Sequence, residues 1–141
     1  MNLYAESSAV LAWLLDEARG PAIRKTLAVA DSIVTSELTL VECDRALHRA
    51  ATAGAITTGF AAEHHARLAA IAEDWMILRI TPAIVERARR PFPEEPIRTL
   101  DALHIASALT AAGVLPALAV LSLDQRVRKV ARALGLDVTP E

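Results

Sequence analysis

The sequence predicts an α/β protein, a three-layer α/β/α sandwich around a mainly parallel central sheet, and three observations carry that expectation. Short apolar runs alternate with helical patterns along the whole chain. A parallel neighbour needs a crossover of a dozen or more residues, which the helical patterns between the runs can supply. The 141 residues are 53% hydrophobic and 23% charged, enough for one core and too apolar for disorder. A single domain over residues 1–141 is expected, with no repeat, linker or low-complexity tract inside it.

Asn2–Ala5 reads as a short strand, after which Ser7 or Ser8 is placed to cap a helix carrying Val10, Leu11, Leu14 and Leu15. Gly20-Pro21 stops that helix and opens another through Leu27, with proline in the first turn, where an N–H has no helical partner anyway. Ile33-Val34-Thr35 is the second strand, and Ser36 caps a helix to about Ala53 that Gly54 ends. A further helix covers roughly Thr58–Asp74, with Phe60, His64, Leu68 and Ile71 on one stripe. Met76–Ile80 is the third strand, and Thr81-Pro82 opens a short helix to about Arg90. The segment Pro91-Phe-Pro-Glu-Glu-Pro96 is dense in proline and therefore a loop. Thr99–Ala112 is strongly helical and closes at Gly113. Ala117–Leu123 is the most apolar strand candidate, followed by a helix from Asp124 to Leu134 that ends at Gly135, and Leu136–Thr139 suits an edge strand.

Several function classes are excluded at this level. The lone Cys43 cannot form an internal disulfide, and no zinc-ligand spacing is present, so a reducing, cytoplasmic setting is expected. The opening MNLYAESSAVLAWLL has an acid at Glu6 and no basic leading region, unlike a secretory signal. No apolar run approaches the roughly 20 residues that cross a bilayer, so no membrane partner is expected. No Walker loop, G-x-G-x-x-G or G-x-S-x-G is present. The net charge of −2 is unlike that of a bare nucleic-acid binder, although Arg126, Arg128, Lys129 and Arg132 crowd one predicted helix. With 4% aromatic residues, any RNA recognition must rest mainly on shape and backbone contacts.

In open parallel sheets the ligand site lies beyond the carboxyl ends of the strands, and acids stand there. Glu6 directly follows the first strand, and Asp124 directly follows the Ala117–Leu123 strand. Glu42 lies one to two turns into the helix after the second strand, and Asp101 lies in the first turn after the proline-rich loop. Each has an ordinary role open to it: capping for Asp124, a dipole partner for Asp101, pairing with Arg45 for Glu42, a solvated strand end for Glu6. Four separate segments delivering a carboxylate to one rim point further. Clustered carboxylates repel unless a cation neutralises them, and an all-oxygen set suits Mg²⁺ or Mn²⁺. Two such ions about 3.5–4 Å apart clamp the attacking and leaving oxygens of a phosphoryl displacement, so phosphodiester hydrolysis is indicated. Arg45 and Arg49 lie on the Glu42 side of their helix, at i+3 and i+7, placed for phosphate contact.

In order and spacing, LYAESSAVLAWLL, SELTLVECDRALHR, RTLDALHIASAL and VLSLDQRVRKVARALGL resemble the four motifs of PIN-domain ribonucleases. Length and layout most resemble the VapC toxins of bacterial toxin–antitoxin pairs. The resemblance covers essentially the whole chain, and LDALHIASA is its most specific block. It implies a PIN-like sandwich, an acidic quartet at Glu6, Glu42, Asp101 and Asp124 that holds Mg²⁺ or Mn²⁺, and cleavage of single-stranded RNA. It also implies a homodimer and inhibition by a small antitoxin, for which the helices around Ala9–Leu15 and Thr39–Ala50 are the expected groove. Ser122 matches a small hydroxyl position before the fourth acid, a possible substrate contact. One position departs: the family's first acid is almost always Asp, and Glu6 is longer by one C–C bond, about 1.5 Å. Two readings follow, a nuclease that is active or attenuated, and a catalytically silent module that binds RNA or protein.

Other residues have structural expectations. His104, one turn after Asp101, reads as a packed and satisfied histidine, with a bond to Asp101 or a phosphate as the alternative. His64 belongs to a packed stripe, His65 to the surface, and Cys43 to packing between helices. Ser7 and Ser8 read as capping residues, with contact to the first acid as a secondary role.

Overall fold

Alternation along the strands decides the layers. A computed structural model describes residues 1–141, with strands β1 (Asn2–Ala5), β2 (Ser32–Ser36), β3 (Met76–Leu78), β4 (Leu118–Leu121) and β5 (Asp137–Thr139). The helices are α1 (Ser7–Leu14), α2 (Gly20–Ala28), α3 (Glu37–Thr52), α4 (Thr58–Ala72), α5 (Pro82–Ala88), α6 (Thr99–Ala112) and α7 (Gln125–Ala133). Leu3 and Ala5 of β1 join Ala119 and Leu121 of β4 in a core beneath α1–α4. Tyr4, Leu118 and Val120 point the other way, into a second core with Ala102, Ile105 and Ala108 of α6 and Val127 and Val130 of α7. That period of two, with helices on both faces, is the α/β/α sandwich.

The five strands run in the order β3-β2-β1-β4-β5, and every pairing is parallel, so the expected mainly parallel sheet is wholly parallel. The chain builds outward from β1 to β2 and β3, then returns to the other side of β1 for β4 and β5. That reversal makes the β1–β4 edge the topological switch point, where open parallel sheets part to admit ligands. The register pairs Ala5 with Leu121, so the next residues, Glu6 and Ser122, emerge side by side.

Most helix starts follow their local chemistry. Ser36, Thr57, Thr81 and Asp124 accept hydrogen bonds from the first-turn N–H groups of α3, α4, α5 and α7. The cap of α1 differs from the expected one: it is the carboxylate of Glu6 and not Ser7 or Ser8, while α2 and α6 start without a side-chain cap. Strand β3 stops at Leu78, short of the expected Ile80, whose N–H turns to the Glu37 carboxylate. Strand β4 starts one residue late because Ala117 sits at φ 50°, in the left-handed region, as the chain turns after Pro116. The expected apolar groove along Ala9–Leu15 and Thr39–Ala50 is filled: Ala9, Val10, Trp13 and Leu14 pack against Cys43 and Leu47. An apolar cleft of about 780 Å³ opens elsewhere, between Val85 of α5, Phe92 and Ile97 of the proline-rich loop, and Leu103 of α6. No helix is long and apolar enough to cross a membrane.

Gly20 sets the approach of α2 to α1. A Cβ there would stand 2.8 Å from the carbonyl oxygen of Ala12, a backbone atom that cannot step aside. Gly20→Ala is expected to cost about 1–3 kcal/mol, as overpacking does, read as a lower urea midpoint at unchanged slope. Gly59→Ala, whose Cβ would meet nothing nearer than 4.0 Å, should be neutral or slightly stabilising in the same assay.

Candidate active site

Glu6 leaves β1 at the switch point with only 4% of its surface exposed, so its carboxylate must be satisfied inside the protein. Oε1 accepts from the Ser7 hydroxyl at 2.7 Å and the Ser8 N–H at 3.1 Å. Oε2 accepts from the Ser122 hydroxyl at 2.7 Å and from the Ser8 hydroxyl. The Glu6 side chain thus folds back onto these serines. The Ser8 oxygen in turn accepts the N–H groups of Leu123 at 2.9 Å and Asp124 at 3.2 Å, and the Ser122 oxygen accepts the Asp124 N–H at 3.1 Å. Glu6 is thereby tied to the backbone of the fourth acid. Ser122 is fully buried, so its hydroxyl serves Glu6 and is not open to a substrate.

Asp124 and Asp101 are joined by a side chain that sequence reasoning missed. Arg98 donates from Nε to Oδ2 of Asp101 at 2.9 Å and from a terminal nitrogen to Oδ2 of Asp124 at 3.3 Å. The hydrogen bond and charge of Asp101 raise the Arg98 pKa above its ordinary value, with Asp124 and Glu42 adding smaller pulls in the same direction. Oδ1 of Asp124 is held separately, by the N–H groups of Arg126 at 2.8 Å and Val127 at 3.4 Å. The R-T-L-D spacing, an i,i+3 pair at a helix start, was the available signal for the Asp101 contact. The reach to Asp124 depends on tertiary structure.

Glu42, on α3, meets α6 through His104. One Glu42 oxygen pairs with Nε2 of the buried His104, and Nδ1 of that ring lies 2.9 Å from the Tyr4 hydroxyl. A carboxylate can only accept, so Nε2 carries the proton, and in the neutral ring Nδ1 then accepts from Tyr4. Burial, with smaller contributions from Glu6 and Glu42, pushes the Tyr4 hydroxyl far above its ordinary pKa, keeping it a donor. His104 is packed and satisfied as expected, but through Glu42 and Tyr4, because α3 and β1 face it and Asp101 is held by Arg98.

The remaining expectations sort simply. Arg45 and Arg49 are exposed on α3 and touch none of the four acids. His64 is buried, with Nδ1 2.8 Å from the Phe60 carbonyl oxygen. His65 is half-buried, contrary to the surface expectation, because Asp44 on the neighbouring α3 takes its Nδ1 at 2.5 Å. Cys43 is buried and its thiol pKa is pushed well up by that burial, which leaves it inert.

The donor chemistry suits a hard divalent cation, and one cation, the Arg98 guanidinium, already reaches both Asp101 and Asp124. That pair fits an ion. As they stand, no three His, Cys, Asp or Glu side chains converge on one point, because Glu6 is held by hydroxyls and Glu42 by His104.

The serine cage makes a stability prediction. Glu6→Ala removes the acceptor for three hydroxyls and one N–H in a buried pocket, and is expected to cost about 2–3 kcal/mol. Urea denaturation checks it, and parent-like stability would contradict a structural role for the carboxylate.

Comparison with known proteins agrees with this architecture. The PIN domain family model matches residues 3–133. Ribonuclease VapC35 of Mycobacterium tuberculosis is 30% identical over 140 residues, covering 96% of this chain and 94% of that protein. The crystal structure of VapC20 from Mycobacterium tuberculosis, a sarcin-ricin loop cleaving toxin, aligns with a TM-score of 0.66 at 17% identity, over 90% of this chain and 93% of that chain. VapBC2 from Rickettsia felis, bound to a DNA fragment from its promoter, aligns with a TM-score of 0.67 at 12% identity, over 99% of this chain and 98% of that chain. Those two structures speak for the fold; the family match and the near full-length relative speak for kinship. The chain belongs to the PIN-domain family, as a homologue of the VapC ribonucleases.

Proposed function

We propose that this protein is a Mg²⁺- or Mn²⁺-dependent endoribonuclease cleaving single-stranded RNA, the toxin of a toxin–antitoxin pair, acting in the cytoplasm as a homodimer. The observation that carries the reading is the shared cation of Asp101 and Asp124, with Glu6 and Glu42 linked to the same sheet edge. The name of the VapC35 relative supports the ribonuclease class, and the VapBC2 neighbour supports a small antitoxin partner. The cleft beside α6 is the surface such a partner would cover, since Thr99 and Leu103 in its wall flank Asp101.

A bound divalent ion would supply Lewis acidity and an activated water. Asp101 and Asp124 would hold it where the guanidinium of Arg98 stands. The Arg98 side chain is 61% exposed and can turn outward to make room. Glu6 fixes Asp124 through Ser8 and Ser122. Glu42 keeps one oxygen on His104, and its other oxygen, which makes no hydrogen bond within the chain, can orient water or take a proton. The second reading, an RNA- or protein-binding module without catalysis, is favoured by the occupied oxygens of Glu6.

Two measurements separate the readings. Single-stranded RNA should be cut at saturating Mn²⁺, and Asp101→Asn should lower the rate by at least about 10–100-fold, the range that disturbing even a ligand's supporting partner produces. A parent chain that binds Mn²⁺ and RNA but cuts nothing is the silent module. Arg98→Gln removes the competing cation and should tighten Mn²⁺ binding about threefold to tenfold by titration calorimetry, the range for releasing exposed ion pairs. Unchanged Mn²⁺ affinity would show that the ion does not bind between Asp101 and Asp124.

A further inference from the structure

A second basic feature lies further along α3, beginning one turn beyond Glu42. A recess of about 480 Å³ is lined by Arg45, His48, Arg49, Thr52 and Ala53, with no acid among them. The chain's arginine and lysine ion pairs all involve other residues, so both guanidiniums keep their donors for a ligand. They stand one helical turn apart, a rise of about 6 Å, on the same face of the helix.

His48 between them is held in place from behind. Its ring lies 4.4 Å from that of His65, tilted by 37°, and Asp44 grips Nδ1 of His65 at 2.5 Å. Nε2 of His65 is buried without a partner, so its ring serves as a packing surface and offers the recess no second hydrogen bond. The stack of Asp44, His65 and His48 thus presents one exposed imidazole beside two free guanidiniums. In a chain with 4% aromatic residues, this is a ring placed among unpaired cations.

We propose that this recess is a subsite for single-stranded RNA, taking backbone phosphate on Arg45 and Arg49 and one base against the face of His48. Guanidiniums bind phosphate in bidentate fashion, and histidine is among the rings on which unpaired bases stack. Asp44 and His65 are positioning residues that act through His48. The subsite rests on the ribonuclease reading for its ligand class, and it starts one turn along α3 from Glu42, which would align the strand toward the acids.

The test measures binding of a fluorescein-labelled, mixed-sequence single-stranded RNA to the full chain carrying Asp101→Asn, at pH 8 and several salt concentrations. Arg45→Gln and Arg49→Gln should each weaken binding about threefold to tenfold and lower the slope of log affinity against log salt by about 0.7, the single-strand value per phosphate. His48→Ala should weaken binding at least about fivefold at constant slope, while His48→Phe keeps the affinity, as stacking requires. His65→Ala should weaken binding less than His48→Ala and add nothing in combination with it. Unchanged affinity and slope in both arginine variants overturn the proposal. So does His48→Phe binding as weakly as His48→Ala, or arginine variants that bind RNA normally but lose an acidic protein partner. Mn²⁺-dependent cleavage by the parent chain is read separately, so the nuclease reading stands or falls on its own result.

Discussion

Carboxylates brought together at one edge of a sheet repel one another, and the structure around the β1–β4 edge is organised to meet each charge. Glu6 is met by hydroxyls, Asp101 and Asp124 by one guanidinium, and Glu42 by an imidazole. The arrangement depends on strand register. With Ala5 paired to Leu121, Glu6 and Ser122 emerge as neighbours, and a one-residue slip would turn one of them to the opposite face of the sheet. The two cores fix that register from both sides, because Leu3 and Ala5 anchor one face while Tyr4 anchors the other.

The site is therefore built of links that cross the whole chain. Ser122 reaches back 116 residues to Glu6, and Tyr4 and His104, 100 residues apart, share a buried hydrogen bond. Glutamate in place of the family's aspartate fits this design. Its side chain caps α1 and collects the serines, so the carboxylate is satisfied inside the protein. The acids left to face a cation are Asp101 and Asp124, with Glu42 beside them.

Much of this was legible in the sequence because it is local. Periodicity, turn residues and caps such as Ser36, Thr81 and Asp124 act within a few residues, and the strand-helix alternation then led to the parallel sheet and its β1–β4 switch point, beyond which Glu6 and Asp124 follow their strands. What could not be read depends on distant partners. Glu6 as a cap is chosen over Ser7 and Ser8 by hydroxyls that include Ser122 from the other end of the chain. The second contact of Arg98, to Asp124, exists only once α6 and α7 are packed. The apolar groove was misplaced because an apolar helix can face either a core or a partner. Leu14 and Val10 of α1 were already taken by α3.

The central claim is that the seam between Asp101 and Asp124 is a cation site in which Arg98 stands where a divalent ion would bind. Crystals of the chain grown with Mn²⁺ and measured at the manganese absorption edge test it directly. The account predicts an anomalous peak between the two aspartates, with Arg98 turned outward and the serines still closed on Glu6. An anomalous map empty at that seam at millimolar Mn²⁺, with Arg98 still bridging the pair, would contradict it.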